Sequence, residues 1–178
     1  SPQCTANLAL LGDKSLLFNE TQTAFIMYAV EGRSWVSMGD PIGPVQEHQE
    51  LIWRFRELCE QAEGWPVFYE VGHETLYLYL DIGLTLIKLG EEARTPLAQF
   101  SLEGKARSGL RHSHHKAEKE GCSFEIVEAS SVAAYMPALQ HVSDVWLSGK
   151  KTKEKGFSLG FFHPEYLQAN PVALVRNA

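Results

Sequence analysis

Between Gly104 and Gly121 the chain reads GKARSGLRHSHHKAEKEG. Lys105, Arg107, Arg111, His112, His114, His115, Lys116 and Lys119 crowd into this glycine-bracketed stretch. On a helix, Arg107, Arg111 and His115 fall at i, i+4 and i+8 and line one face. Lys105, His112, Lys116 and Lys119 line an adjacent face. Such a surface suits phosphate groups, because arginine offers a two-pronged donor and several positive charges sum. The alternative is a solvated helix face, which Glu118 and Glu120 support. A second basic segment, with Lys150, Lys151, Lys153 and Lys155 between Gly149 and Gly156, could close over phosphates or serve as a solvated linker. Trp146 and Phe157 flank it, as base-stacking platforms or as core.

The charge distribution favours an anionic partner. The whole chain of 178 residues carries a formal charge of −6. Residues 104–155 hold nine Lys and Arg against six Asp and Glu, net +3, so the rest is net −9. Basic segments on an acidic body hold anions locally and repel them elsewhere.

Other constellations are weaker. His112 and His115 could bind zinc with a third ligand, but neighbouring Lys and Arg repel a cation, so no metal is expected. Glu91 and Glu92 could offer a general base, although adjacent glutamates read more simply as a solvated turn. Gly39-Asp40-Pro41-Ile42-Gly43-Pro44 reads as a stiff turn leading into a helix, with a binding loop as the alternative. No dinucleotide or P-loop glycine motif, GxSxG elbow or HExxH is present. Cys4, Cys59 and Cys122 form no CxxC pair, which argues against a disulfide framework.

The elements that must position these groups follow from periodicity. Lys14–Asn19, Thr23–Val30 and Ser34–Met38 are expected as strands. Val45–Ala62 is the clearest helix, with Val45, Ile52, Phe55, Cys59 and Ala62 on one stripe. Pro66–Val71 is expected as a strand and His73–Leu80 as a short helix. Leu84–Leu89 and Ala93–Leu97 are expected as strands around the Gly90 turn. The basic helix runs from about Lys105 to Glu120, with Gly121 as its stop. Then come a strand over Ser123–Val127, a helix over Ser131–Leu147, a helical turn at Pro164–Gln168 and a last strand at Pro171–Val175. Alternating strands and helices, with several strands early, predict a mixed α/β (α+β) fold with a largely antiparallel sheet. No apolar run reaches the roughly 18–20 residues of a membrane helix. The N-terminus lacks a signal-peptide pattern, and the strand-like ending reads as an excised fragment.

Several strings resemble one family. SWVSMGDPIGP, LIWRFRELCEQAEGWPVFYEV, LYLDIGLTLIKLGEEARTPLAQFSLEGKARSGLR, HKAEKEGCSFEIVE and SDVWLSGKKTKEKGFSLGFFHPEYL, in this order, look like the cytosolic region of the phosphatidylglycerol aminoacyltransferases, also called multiple peptide resistance factors. The resemblance runs from about Leu16 to Val175. It implies two GNAT-like folds in tandem: residues 1–156 as the first unit, and 157–178 as a linker and the opening strand of a truncated second. It implies a membrane enzyme at the cytoplasmic face of the bacterial cell membrane. Such an enzyme moves a lysyl or alanyl group from aminoacyl-tRNA to phosphatidylglycerol and confers resistance to cationic antimicrobial peptides. The implied partners are aminoacyl-tRNA, phosphatidylglycerol with its anionic membrane surface, and the remainder of the same chain. No cofactor is expected; the spacing around Arg107-Ser108-Gly109-Leu110-Arg111 lacks the phosphate loop of acyl-CoA users. The family's catalytic acids and arginine have no counterpart here, so no catalytic residue is assigned and the fragment alone is expected to be inactive. The alternatives are a non-catalytic lipid- or tRNA-docking module, or a tRNA-dependent aminoacyltransferase of the peptidoglycan type.

Overall fold

A computed structural model describes residues 4–150 and 153–177. Lys151 therefore lies outside the described residues. The chain divides into two compact units, residues 1–89 with 147–162, and residues 90–146 with 163–178.

The first unit is built on a four-stranded sheet. Strands β1 (Ser15–Phe18), β2 (Phe25–Glu31), β3 (Ser34–Met38) and β4 (Trp65–Tyr69) are neighbours in chain order. β1 with β2 and β2 with β3 are antiparallel, whereas β3 and β4 run parallel. A parallel pair needs a long crossover. That crossover is helix α1 (His48–Gln61), preceded by a 3₁₀ turn at Val45–Glu47. Leu51, Phe55 and Cys59 recur at every fourth position of α1 and pack on Ala24 and Ile26, with Leu17, Tyr28, Trp35 and Phe68 around them. Burying each large apolar side chain contributes about 1.5–3 kcal/mol. Ile52, one position round the helix, meets Leu78, Tyr79 and Ile82 at helix α2 (Leu76–Asp81).

Strand alternation sends Met27 and Met38 to the opposite face. There they pack with Ile42 against Ala6, Leu8 and Ala9 of the N-terminal 3₁₀ segment Cys4–Leu11, and against Phe157. Phe157 is thus core, and the Lys14 ammonium lies over its ring. Asp13 Oδ2 accepts the Phe157 N–H at 3.0 Å, which ties this late segment to the start of the chain.

The second unit contains helix α3 (Ser108–Lys119), strand β5 (Ser123–Val127), helix α4 (Ala129–Val132), most of helix α5 (Met136–Lys150), helix α6 (Pro164–Gln168) and strand β6 (Val172–Arg176). β5 and β6 form a separate two-stranded antiparallel sheet. No helix among the described residues is long and apolar enough to cross a membrane.

Two expectations need correction. Leu84–Leu89 and Ala93–Leu97 are not strands: residues 84–96 have no regular structure, and Ile87 and Leu89 are 78% and 71% exposed. A strand needs a neighbour for its N–H and C=O groups. Among the described residues no strand pairs with this segment. The expected helix over Ser131–Leu147 is α4, a 3₁₀ turn at Ala133–Tyr135 and α5, which runs on to Lys150. Lys150 is therefore helical rather than part of the basic loop. The mixed α/β fold with a mostly antiparallel sheet is otherwise as expected.

Candidate functional site

The basic segment forms the predicted helix. A 3₁₀ turn at Lys105–Arg107 leads into α3. Its end is set by Gly121, whose φ of +74° suits a residue without a Cβ. The Cys122 N–H donates to the Ala117 carbonyl and the Gly121 N–H to the Glu118 carbonyl, both at 3.0 Å. This double bond pattern closes the helix and satisfies carbonyls that would otherwise lack donors.

The structure divides the predicted phosphate contacts into groups. Arg111 is half-buried and faces back along the chain, donating to the Leu102 carbonyl and, at 2.8 Å, to the Gly104 carbonyl. Its guanidinium thereby holds the segment that enters the helix. Arg107 lies over the Phe100 ring, 5.3 Å from its centroid. His115 and Lys116 join His112, Lys119 and Glu120 around an open depression of about 320 Å³. The spacing of His112, His115, Lys116 and Lys119 is i, i+3, i+4 and i+7, one helix face. Lys150, Lys153 and Lys155 are exposed in a separate segment. Trp146 is 58% exposed.

The depression is an electrostatic site on a solvated surface. Lys116 and Glu120 are 3.7 Å apart with both side chains more than half exposed. Exposed pairs of this kind contribute under about 1 kcal/mol, so an anion can draw the ammonium away at small cost. Lys116 and Lys119 occupy the last turn, where the helix dipole favours cations. The negative helix end opposes an anion there, so any attraction rests on the side chains themselves.

The three histidines separate. His115 Nδ1 lies 3.1 Å from Glu118 Oε2 and His114 Nδ1 lies 3.4 Å from the same oxygen. The ligand atoms of His114, His115 and Glu118 fall within 4.8 Å of one another, so these three could hold a cation, rather than the His112–His115 pair read from spacing. All three are exposed, and Lys116 and Lys119 on the same helix favour an anion instead. Glu92 is engaged by Arg94 at 2.6 Å on an exposed loop, a poor setting for a general base.

Sequence reasoning missed the central role of Asp40 in the first unit. Asp40 follows β3, where Gly39 donates its N–H to the Tyr69 carbonyl at 2.7 Å, joining the ends of β3 and β4. Asp40 Oδ1 accepts from the Thr75 hydroxyl at 2.5 Å and the Tyr79 hydroxyl at 2.6 Å, and Oδ2 accepts the Gly72 N–H at 2.8 Å. Burial pushes the Tyr79 phenol well up, and the Asp40 charge adds to this, so Tyr79 remains a donor. The i, i+4 spacing of Thr75 and Tyr79 was the available signal, but nothing local connects it to Asp40.

The comparisons bear on the whole chain. The family model described as phosphatidylglycerol lysyltransferase, C-terminal, matches residues 1–178. A phosphatidylglycerol lysyltransferase of Staphylococcus aureus (strain COL) is 39% identical over 172 residues, covering 97% of this chain and 20% of the relative. One from Bacillus subtilis (strain 168) is 37% identical over 173 residues, with the same coverage of 97% and 20%. The chain thus spans 20% of the length of these relatives. The solved C-terminal domain of a putative lysylphosphatidylglycerol synthetase from Agrobacterium fabrum matches with a TM-score of 0.94 at 41% identity, over 98% of this chain and 55% of that one. The structure of L-PGS from Bacillus licheniformis matches with a TM-score of 0.91 at 36% identity, over the same shares of 98% and 55%.

Proposed function

The chain belongs to the phosphatidylglycerol lysyltransferase C-terminal family, and from that premise we propose that it is part of the catalytic region of an enzyme that transfers an aminoacyl group, lysyl or alanyl, from aminoacyl-tRNA to phosphatidylglycerol. The observation that carries this reading is the family match across all 178 residues. The basic face of α3 adds to it, since both substrates bring phosphates.

In the reaction, a glycerol hydroxyl of phosphatidylglycerol attacks the carbonyl carbon of the aminoacyl ester. The new ester C–O bond forms, the bond to the tRNA ribose oxygen breaks, and the hydroxyl proton ends on that ribose oxygen. One ester replaces another, so the enzyme chiefly aligns the two partners and moves a proton. In this reading His115 and Lys116, with His112 and Lys119, meet phosphate oxygens. Arg107 lies next to that face, and Arg111 shapes the segment entering it. Lys150, Lys151, Lys153 and Lys155 are proposed as further phosphate contacts. The depression is open, which fits positioning, with bond-making groups supplied from elsewhere in the polypeptide. The tandem reading assigns residues 1–156 to a first GNAT-like unit and 157–178 to the opening of a second. The enzyme would act at the cytoplasmic face of the membrane, and its product would neutralise or reverse the negative lipid charge that attracts cationic antimicrobial peptides.

The test uses the complete enzyme with labelled aminoacyl-tRNA and phosphatidylglycerol vesicles. Lys116→Glu with Lys119→Glu should lower lipid product several-fold and flatten its dependence on salt. Unchanged product across the salt range would overturn the assignment of this face.

A further inference from the structure

Lys153 and Lys155 are exposed on a loop that is closed on itself and pinned to the body of the first unit. Gly156 and Gly160 form an antiparallel bridge, and the Leu159 N–H donates to the Gly156 carbonyl at 3.0 Å. Glu154, between the two lysines, accepts the Phe162 N–H at 2.7 Å. The pin is Asp13, 144 positions before Phe157 in the chain. Its Oδ2 accepts the Phe157 N–H at 3.0 Å, and its Oδ1 lies 2.6 Å from the Lys14 ammonium.

The Asp13 carboxylate acts on two partners. The Lys14 side chain is wholly buried, and a buried ammonium needs a counter-charge. That ammonium also lies over the Phe157 ring, so one carboxylate holds both the backbone and, through Lys14, the ring of Phe157. Phe157 has a φ of +42°, a conformation that a bulky residue keeps only where its surroundings hold it. Lys155 is two residues from the pinned N–H and Lys153 four, so their Cα atoms stay within about 7 and about 14 Å of it. Cations on a held backbone lose less freedom on meeting an anion than cations on a loose tether. The surrounding charge selects the anion. Residues 1–89 and 147–162 carry nine Lys and Arg against thirteen Asp and Glu. A flat anionic bilayer is repelled by such a unit as a whole, whereas a nucleic-acid strand can reach the two lysines alone.

We propose that Asp13 is a positioning residue that sets Lys153 and Lys155, through Phe157, against phosphates of aminoacyl-tRNA. The inference rests on the phosphate role proposed for these lysines, and adds what places them and which substrate they meet.

Steady-state kinetics of the complete enzyme test it, with aminoacyl-tRNA and phosphatidylglycerol vesicles varied in turn. Asp13→Ala should raise the KM for aminoacyl-tRNA several-fold and leave kcat and the KM for phosphatidylglycerol unchanged. Asp13→Asn keeps an oxygen to accept the Phe157 N–H and should restore much of the loss. Lys153→Gln with Lys155→Gln should raise the same KM, and adding Asp13→Ala to that pair should change it no further. A raised KM for phosphatidylglycerol instead, equal damage by the Asn and Ala variants, or additive effects in the triple variant would each overturn the proposal. If the lysine pair alone leaves the KM unchanged, the phosphate role falls and the proposal with it. If the lysine pair raises the KM and Asp13→Ala does not, the proposal falls alone. Amide hydrogen exchange of the unsubstituted enzyme needs no variant to fold. The Phe157 amide should exchange slowly, and exchange at the rate of an unfolded chain would overturn the proposal.

Discussion

The Tyr79 hydroxyl donates to Asp40 Oδ1 across 2.6 Å, joining α2 to the loop that follows β3. The two residues are 39 positions apart in sequence. Asp40 thus gathers three donors from the chain after β4 and holds them beside the ends of the parallel strands.

Removing either partner should therefore cost stability. Tyr79→Phe is expected to destabilise by about 1–3 kcal/mol, because a hydrogen bond to a charged group is lost and the carboxylate keeps two donors. Asp40→Ala should cost more, since the Tyr79 hydroxyl and the Gly72 N–H lose this acceptor and the Thr75 hydroxyl is left with the Gly72 carbonyl at 3.1 Å. Urea unfolding of both single variants and of the double variant measures the coupling, and additive effects would argue against a shared network.

Alkali should weaken the fold through buried acids. Burial raises the Cys59 thiol from 9.0 to about 11. Below the unfolded value both states are protonated and the stabilising contribution is complete. Between about 9 and about 11 only the unfolded state releases the proton, so stability falls as pH rises. Tyr79, raised for the same reason, adds to the decline at higher pH. Cys59→Ala should flatten the unfolding free energy over that window, relative to its own value at neutral pH. An identical slope would remove Cys59 as a source.

Gly43 admits no side chain. Its φ is +139°, and a Cβ would come within 2.5 Å of Ala24 Cβ and 2.7 Å of Ala24 Cα. Phe25 and Ile42 exchange backbone hydrogen bonds beside it at 2.9 and 2.8 Å, so neither segment can move aside freely. Gly43→Ala is expected to destabilise by more than about 2 kcal/mol, combining overpacking with an unfavourable backbone conformation. Gly32→Ala, where φ is +57° and a Cβ would meet nothing within 4 Å, should shift the melting temperature far less, and an equal shift would argue against crowding at Gly43.

Arg111 should act on structure before it acts on phosphate. Arg111→Lys keeps the charge but shortens the side chain and removes the planar guanidinium whose Nη1 donates to both the Leu102 and Gly104 carbonyls. Limited proteolysis should then cut more readily near residues 102–104, with no matching change in Lys116→Gln. Equal protection of the two variants would show that the guanidinium of Arg111 is dispensable.

Local patterns carried much of this protein in the sequence alone. Strand β3 is legible from SWVSM, and α1 from the recurrence of Ile52, Phe55 and Cys59, because those periodicities belong to the elements themselves. Gly121 announces the end of α3, since the cap involves only residues within a few positions. The basic composition of α3 and the ordered family strings are sequence properties as well. Tertiary structure decided the rest. Arg107 and Arg111 share a face with His115 on a helical projection, yet Arg111 turns back to the Leu102 and Gly104 carbonyls while His115 lines the depression with Lys116. Leu84–Leu89 has a strand's composition and lacks a strand's neighbour among the described residues. Asp40 reads as part of a turn until folding brings Thr75 and Tyr79 to its carboxylate. The physical reason is common to all three. Periodicity and capping depend on neighbours along the chain, whereas a hydrogen-bond partner or a pairing strand many residues away exists only once the chain has folded.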